Sequence, residues 1–248
     1  MNATAAAALL LEARRTGVPI AGLPADAQPA TDADSYAIQD AQITELGLIG
    51  GWKVGAHTPD SEPNCAPLPA SLVVPTPQVF APDRFPLQLV EAELGFTFAR
   101  DLPLRATPYV ERDVVAAIAS VHATIEVLGS RYQDFRSVAA PAVLADFASN
   151  GMLVVGEGRT ADVRVDQMTL RLQVFCNGKL ELTRTGGNTA GDVFRLLTWL
   201  ANHTARRTGG LRAGMVVTTG SCIGGYPVPP KTHVRAAFDG LPAVEATV

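Results

Sequence analysis

The chain has 248 residues, 47% of them hydrophobic and 18% charged, with a formal net charge of -4. That length can bury a core unaided, that apolar share excludes a disordered chain, and the acidic balance argues against a nucleic-acid partner, which asks for a basic patch. No apolar run approaches the ~20 residues of a membrane span, and Cys65, Cys176 and Cys222 are too few and scattered for a disulfide framework or a zinc site. A soluble cytoplasmic protein with reduced thiols is expected, with no membrane partner.

Met1 to Arg15 reads as a helix of Ala, Leu, Glu and Arg. Its apolar run lacks the basic front of a signal peptide. Gly17 to Pro29 is loop. Thr31, Asp32 and Asp34 are N-cap residues for a second helix that carries Tyr36, Ile38, Ile43 and Leu46 and ends at Gly47. Gly50 to Gly55 reads as a short strand. Pro59 to Pro86 is proline-rich but carries Leu68, Leu72, Val73, Val74, Val79 and Phe80, so an ordered wrapping segment is expected. Leu87 to Phe98 alternates as a strand, Glu111 to Val121 reads as a helix, and Thr124 to Leu128 as a strand. Met152 to Val155 and Met168 to Phe175 follow as strands, with a hairpin turn at Asn177-Gly178. Gly191 to Arg206 is a helix. Met215 to Thr219, Thr232 to Phe238 and Val244 to Val248 are strands. The mixture lacks a regular strand–helix alternation, which favours an α+β fold with a large mixed or antiparallel sheet. Residues 1–80 are expected to form a helical and wrapping region, and residues 81–248 a β-rich catalytic core.

The most informative residues are Glu91 and Glu93 in Val90-Glu91-Ala92-Glu93-Leu94. Residues two apart on a strand share a face. Two carboxylates there repel one another among apolar neighbours, and a hard cation with oxygen ligands, Mg²⁺ or Mn²⁺, would offset the cost. A solvent-facing edge strand would carry the same pattern. Glu126, in the apolar run Thr124-Ile125-Glu126-Val127, is a third carboxylate for such a site. Lys53, between Trp52 and Val54, is either a lysine facing an anionic oxygen or a surface lysine beside a turn.

Taken together, these blocks resemble the fumarylacetoacetate hydrolase superfamily, and within it the 2-keto-4-pentenoate hydratase and 4-oxalocrotonate decarboxylase branch. The resemblance rests on Gly51-Trp52-Lys53-Val54-Gly55, Glu91-Ala92-Glu93-Leu94-Gly95-Phe96, Arg100-Asp101-Leu102, Ile125-Glu126-Val127 and Ser130-Arg131-Tyr132. It continues through Ala145-Asp146, Asn150-Gly151, Trp199-Leu200-Ala201-Asn202, Val217-Thr218-Thr219-Gly220-Ser221 and Phe238-Asp239-Gly240-Leu241. It implies a mixed β-sandwich or β-roll with peripheral helices and a helical N-terminal region. It places Glu91, Glu93 and Glu126 on metal-ligand positions and Lys53 on the lysine facing the substrate. Thr219 and Ser221 fall on the pocket loop, and with Arg131 they are the expected substrate-binding residues.

The implied cofactor is Mg²⁺ or Mn²⁺, and the implied substrate a small 2-oxo or 2-hydroxydienoic acid. The expected reaction is hydration of a 2-hydroxy-2,4-dienoate to a 4-hydroxy-2-oxo acid. Decarboxylation of a 4-oxalocrotonate-type acid and a non-catalytic partner role are the alternatives. The sequence departs from the branch at Gly129, where an aspartate is usual, at Phe147, where an asparagine is usual, and between His57 and Leu72. Hydrolase members pair a histidine with a glutamate; His57 is the one histidine placed for that, and Glu126 stands where hydrolases carry aspartate. A Ser–His–Asp triad is not supported, because Ser221 lacks a nucleophile elbow. The low-charge composition leads to an expected homo-oligomer.

Overall fold

The computed structural model describes residues 1–248. Helix α1 (Ala3–Thr16) starts where the Asn2 side chain accepts from Ala5 N at 3.1 Å and ends at Gly17 in the left-handed region, φ 70°. Helix α2 (Asp32–Leu46) carries the expected N-cap. Thr31 Oγ1 accepts from Asp34 N, and Asp34 returns the bond to Thr31 N, a reciprocal box that satisfies two otherwise orphaned donors.

The proline-rich segment is more regular than its composition predicts. Strand β1 (Ile49–Gly55) is followed by β2 (Asn64–Pro69), β3 (Val73–Pro75) and β4 (Gln78–Val79), and all four join sheets. Prolines here sit on short or edge strands, where a missing N–H costs little. Strand β5 (Leu89–Phe98) follows.

The expected helix from Glu111 to Val121 stops early. Helix α3 covers only Glu111–Val115, and β6 runs from Ile118 to Leu128. The apolar residues Val114, Val115, Ile118 and Val121 fit a helical stripe, but the β-branched Ile118 and Val121 also fit a strand. Pairing with β5 over nine register positions, Val90↔Val127 to Phe98↔Ile118, decides between them.

Helix α4 (Ala140–Ala145) precedes β7 (Asn150–Val155). Strands β8 (Arg171–Cys176) and β9 (Lys179–Thr185) form the expected hairpin, with Asn177 at φ 51° and Gly178 at φ 80°. Helix α5 (Val193–Arg207), β10 (Val216–Ser221), β11 (Tyr226–Pro227), β12 (His233–Phe238) and β13 (Val244–Thr247) complete the chain.

Two mixed sheets result. The larger has the order β2-β1-β10-β5-β6-β7-β3, with β11 on the end of β5; the smaller has the order β4-β13-β12-β8-β9. Strands β12 and β13 pack on β6 and β7, which makes a sandwich, and α5 covers β1 and β10. This is the expected α+β fold, a β-roll with peripheral helices. A second, smaller core joins α1, α2 and α4 through Ala6, Leu10, Ile38, Tyr132 and Ala145. It is cross-linked by two buried glutamines: Gln39 donates to Leu144 O at 2.6 Å and Gln42 to Ala145 O at 2.8 Å. No helix is long and apolar enough to cross a membrane.

Candidate active site

Glu91 and Glu126 are direct cross-strand partners on β5 and β6, and Glu93 lies two residues along β5 on the same face. One carboxylate oxygen of each lies within 4.8 Å of the others. Like charges opposite one another destabilise a sheet, and these are not solvent-screened: Glu93 and Glu126 are each 1% exposed. Burial, then the charges of Glu126 and Glu91, push Glu93 up to about 8. Burial and Glu126 likewise raise Glu91.

Lys53 reaches the cluster from β1. Two strands, β10 and β5, separate it from β6. In a flat sheet three strand spacings would put Lys53 and Glu126 about 14 Å apart. The roll closes that gap, and Lys53 Nζ donates to Glu126 Oε1 at 2.6 Å and to Ala148 O at 3.0 Å. Burial alone would lower the Lys53 pKa, but the facing carboxylates of Glu126, Glu91 and Glu93 outweigh it and hold the ammonium charged.

The remaining partners come from β10 and from a tight turn. Between Thr218↔Gly95 and Ser221↔Glu93 the register of β10 on β5 slips by one residue. The extra residue lets Gly220, at φ 92°, aim its N–H at Glu93 Oε2, 3.0 Å away. Thr218 Oγ1 donates to the same oxygen. The turn Phe147-Ala148-Ser149 has three successive non-glycine residues at φ 50°, 49° and 59°. It delivers Ala148 O to Lys53 and places Asn150 Nδ2 2.9 Å from Glu126 Oε1. Such strained backbone persists only where its surroundings over-determine it, and Arg131 supplies that constraint. Its guanidinium pairs with Asp146 and donates to Asn150 O at 2.9 Å and Asp146 O at 2.8 Å.

The residues expected at the site therefore divide. Lys53, Glu91, Glu93 and Ser221 line one cavity of about 110 Å³, with Glu126 bonded to Lys53 beside it. Thr219 is buried, and its hydroxyl donates to Leu94 O at 3.1 Å. Arg131 is held by Asp146 and does not line that cavity. His57 is exposed and outside it. Sequence reasoning missed Thr218, the Gly220 N–H, Ala148 O and Asn150. A polar residue heading an apolar strand was the available signal for Asn150; nothing local marks a carbonyl such as Ala148 O.

The donor set suits a hard divalent cation. Oε2 of Glu126 is buried without any hydrogen-bond partner, in a cluster of three mutually repelling carboxylates. An all-oxygen set of this kind matches Mg²⁺, Mn²⁺ or Ca²⁺ better than zinc.

A profile of the family described as fumarylacetoacetate (FAA) hydrolase C-terminal matches residues 46–248. The chain belongs to this family. It is 30% identical over 259 residues to a 2-keto-4-pentenoate hydratase of Burkholderia vietnamiensis (strain G4 / LMG 22486), covering 97% of this chain and 95% of that protein. It is 33% identical over 135 residues to a 4-oxalocrotonate decarboxylase of Pseudomonas putida, covering 54% of this chain and 50% of the relative. Among solved structures it is similar to 4-oxalocrotonate decarboxylase from Pseudomonas putida G7 complexed with magnesium and adipate. There the TM-score is 0.83 at 27% identity, covering 99% of this chain and 96% of that one. A second structure of that decarboxylase, complexed with calcium and acetate, has a TM-score of 0.82.

Proposed function

We propose that the protein is a divalent-metal-dependent hydro-lyase that adds water to a 2-hydroxy-2,4-dienoate and yields a 4-hydroxy-2-oxo acid. The observation that carries this reading is the cluster of Glu91, Glu93 and Glu126, with its unpartnered Glu126 oxygen, facing Lys53 across a small cavity. Full-length similarity to 2-keto-4-pentenoate hydratases supports the reaction class.

Glu91, Glu93 and Glu126 would hold Mg²⁺ or Mn²⁺, which when bound supplies a Lewis acid for the negative charge that develops on a 2-oxo acid. Thr218 and the Gly220 N–H fix one oxygen of Glu93 and leave its other oxygen free. Asn150 and Lys53 do the same for Glu126, with both bonds on Oε1. The Lys53 ammonium adds a second, fixed positive charge and a proton at Nζ beside the cavity. Ser221 lines the cavity beside Glu91 and offers a hydroxyl to a substrate oxygen. Thr219 shapes the floor through its buried bond to Leu94, and Arg131 acts on the substrate through the turn it holds.

Decarboxylation is the second reading, favoured by the 0.83 TM-score to the decarboxylase over nearly the whole chain. The two are separated by following 2-hydroxypenta-2,4-dienoate absorbance with Mg²⁺ or Mn²⁺ and, in parallel, CO₂ release from 4-oxalocrotonate. Dienoate loss that disappears with EDTA and in Glu91→Ala supports the hydratase. CO₂ release alone supports the decarboxylase. Silence in both assays, with metal bound, would sink both. We also propose a homo-oligomer working in the cytoplasm. Val79, 72% exposed, and the solvent-facing edge strand β9 are apolar or unpaired surface that a second copy would cover; a monomeric mass by light scattering would refute the oligomer.

A further inference from the structure

A second cleft, of about 360 Å³, opens between the end of α1, the segment 129–133 after β6 and the segment 84–87 before β5. It shares no lining residue with the carboxylate cavity. Its charged lining residues are Arg14, Arg84 and Arg131, with no carboxylate among the lining. In a chain of net charge -4 this is a local concentration of positive charge.

Of these arginines only Arg131 has a partner acid. Asp146 faces it with both carboxylate oxygens, one bonded to the Arg131 Nε and the other to its backbone N. Arg14 forms no ion pair, and its Nε and Nη2 are buried with no hydrogen-bond partner. Its guanidinium carbon lies 5.4 Å from the centre of the Phe147 ring. Burial first, then the charge of Arg131, pushes Arg14 down to about 9, against a smaller opposing pull from Asp146, whose carboxylate is already bonded to Arg131. Nε and Nη2 form the edge of a guanidinium that grips two oxygens of a carboxylate or phosphate at once. A buried guanidinium edge left unmatched is costly, and no residue of the chain accepts a hydrogen bond from it. Gln133 adds a neutral amide to the lining, and the exposed Arg84 another cation.

We propose that this cleft is a binding site for a small anion, a carboxylate or phosphate, held by the Arg14 guanidinium together with Arg84. The site is separate from the proposed reaction and does not depend on that assignment.

The test is calorimetric and thermal titration of the full chain in EDTA with malonate and with inorganic phosphate, each against chloride at matched ionic strength. A saturable rise in Tm and a measurable Kd are expected for at least one of the two, and their ranking identifies the anion class. Arg14→Gln weakens that Kd at least tenfold. Arg14→Gln also removes an unpartnered buried charge, so its anion-free Tm stays at or above the wild-type value. Arg84→Gln, an exposed change, weakens binding about threefold. Lys53→Met keeps the wild-type Kd, because Lys53 belongs to the other cavity. The proposal is overturned by no saturable binding, by wild-type affinity in both arginine variants, or by loss of binding in Lys53→Met, which would place the anion against the carboxylate cluster.

Discussion

Glu93 is the residue at which the conflict between folding and function is sharpest. It is buried, opposed by two other carboxylates, and offset in part by the Lys53 charge and by hydrogen bonds from Thr218 and the Gly220 N–H. Its raised pKa means that the folded protein holds its proton more tightly than the unfolded chain. Its contribution to stability is therefore complete below about 4.5 and is lost as pH rises through about 8. Metal-free wild type should thus lose Tm relative to Glu93→Gln across that window. At pH 8 the metal-free variant should have the higher Tm. Added Mg²⁺ or Mn²⁺ should raise the wild-type Tm and leave Glu93→Gln unmoved; equal shifts in both would remove Glu93 from the metal site. Arg131 presents the opposite case, a buried cation with its acid in place. Asp146→Asn leaves that charge uncompensated and should cost about 3–5 kcal/mol by denaturant unfolding. A cost under 1 kcal/mol would show that the pair does not hold the turn.

At the scale of elements, the turn before β7 carries the site on a strained backbone. Non-glycine residues in the left-handed region pay a steric cost at Cβ, and Ala148 sits there at φ 49°. Ala148→Gly keeps the carbonyl that accepts from Lys53, so it should stabilise by about 0.5–1 kcal/mol. A fall in Tm would mean that the alanine methyl packs usefully and that the turn is not strained. The opposite constraint governs β1. A Cβ on Gly51 would lie 2.2 Å from Val216 O on β10. Gly51→Ala should therefore spread β1 from β10, cost about 1–3 kcal/mol, and weaken metal binding less than it weakens turnover, because Lys53 rides on β1 while the carboxylates do not. Local patterns read most of these elements correctly. They failed at Ile118 and Val121, where one apolar spacing satisfies both a helix and a strand and β5 alone decides.

Across the whole molecule, the sequence by itself determined the α+β class, the family, both N-terminal helices, the caps of the second, and the three carboxylates and Lys53 as candidates for one site. Those features are written locally: caps, alternation and block motifs depend on neighbours a few residues apart. What the tertiary structure decided is who meets whom. Lys53 and Glu126 are 73 residues apart and become partners only because the sheet rolls. Thr218 rather than Thr219 bonds Glu93, because β10 pairs Thr218 with Gly95 on the face that carries the glutamates, and the one-residue slip that follows brings Ser221 opposite Glu93. Arg131 was expected at the substrate and is found bracing a turn, and Arg14, unmarked in an ordinary helix, lines a cleft without an acid. The physical reason is the same in each case. Strand periodicity sets the face a side chain takes, but curvature, register slips and buried charge pairing depend on contacts between residues distant in the chain.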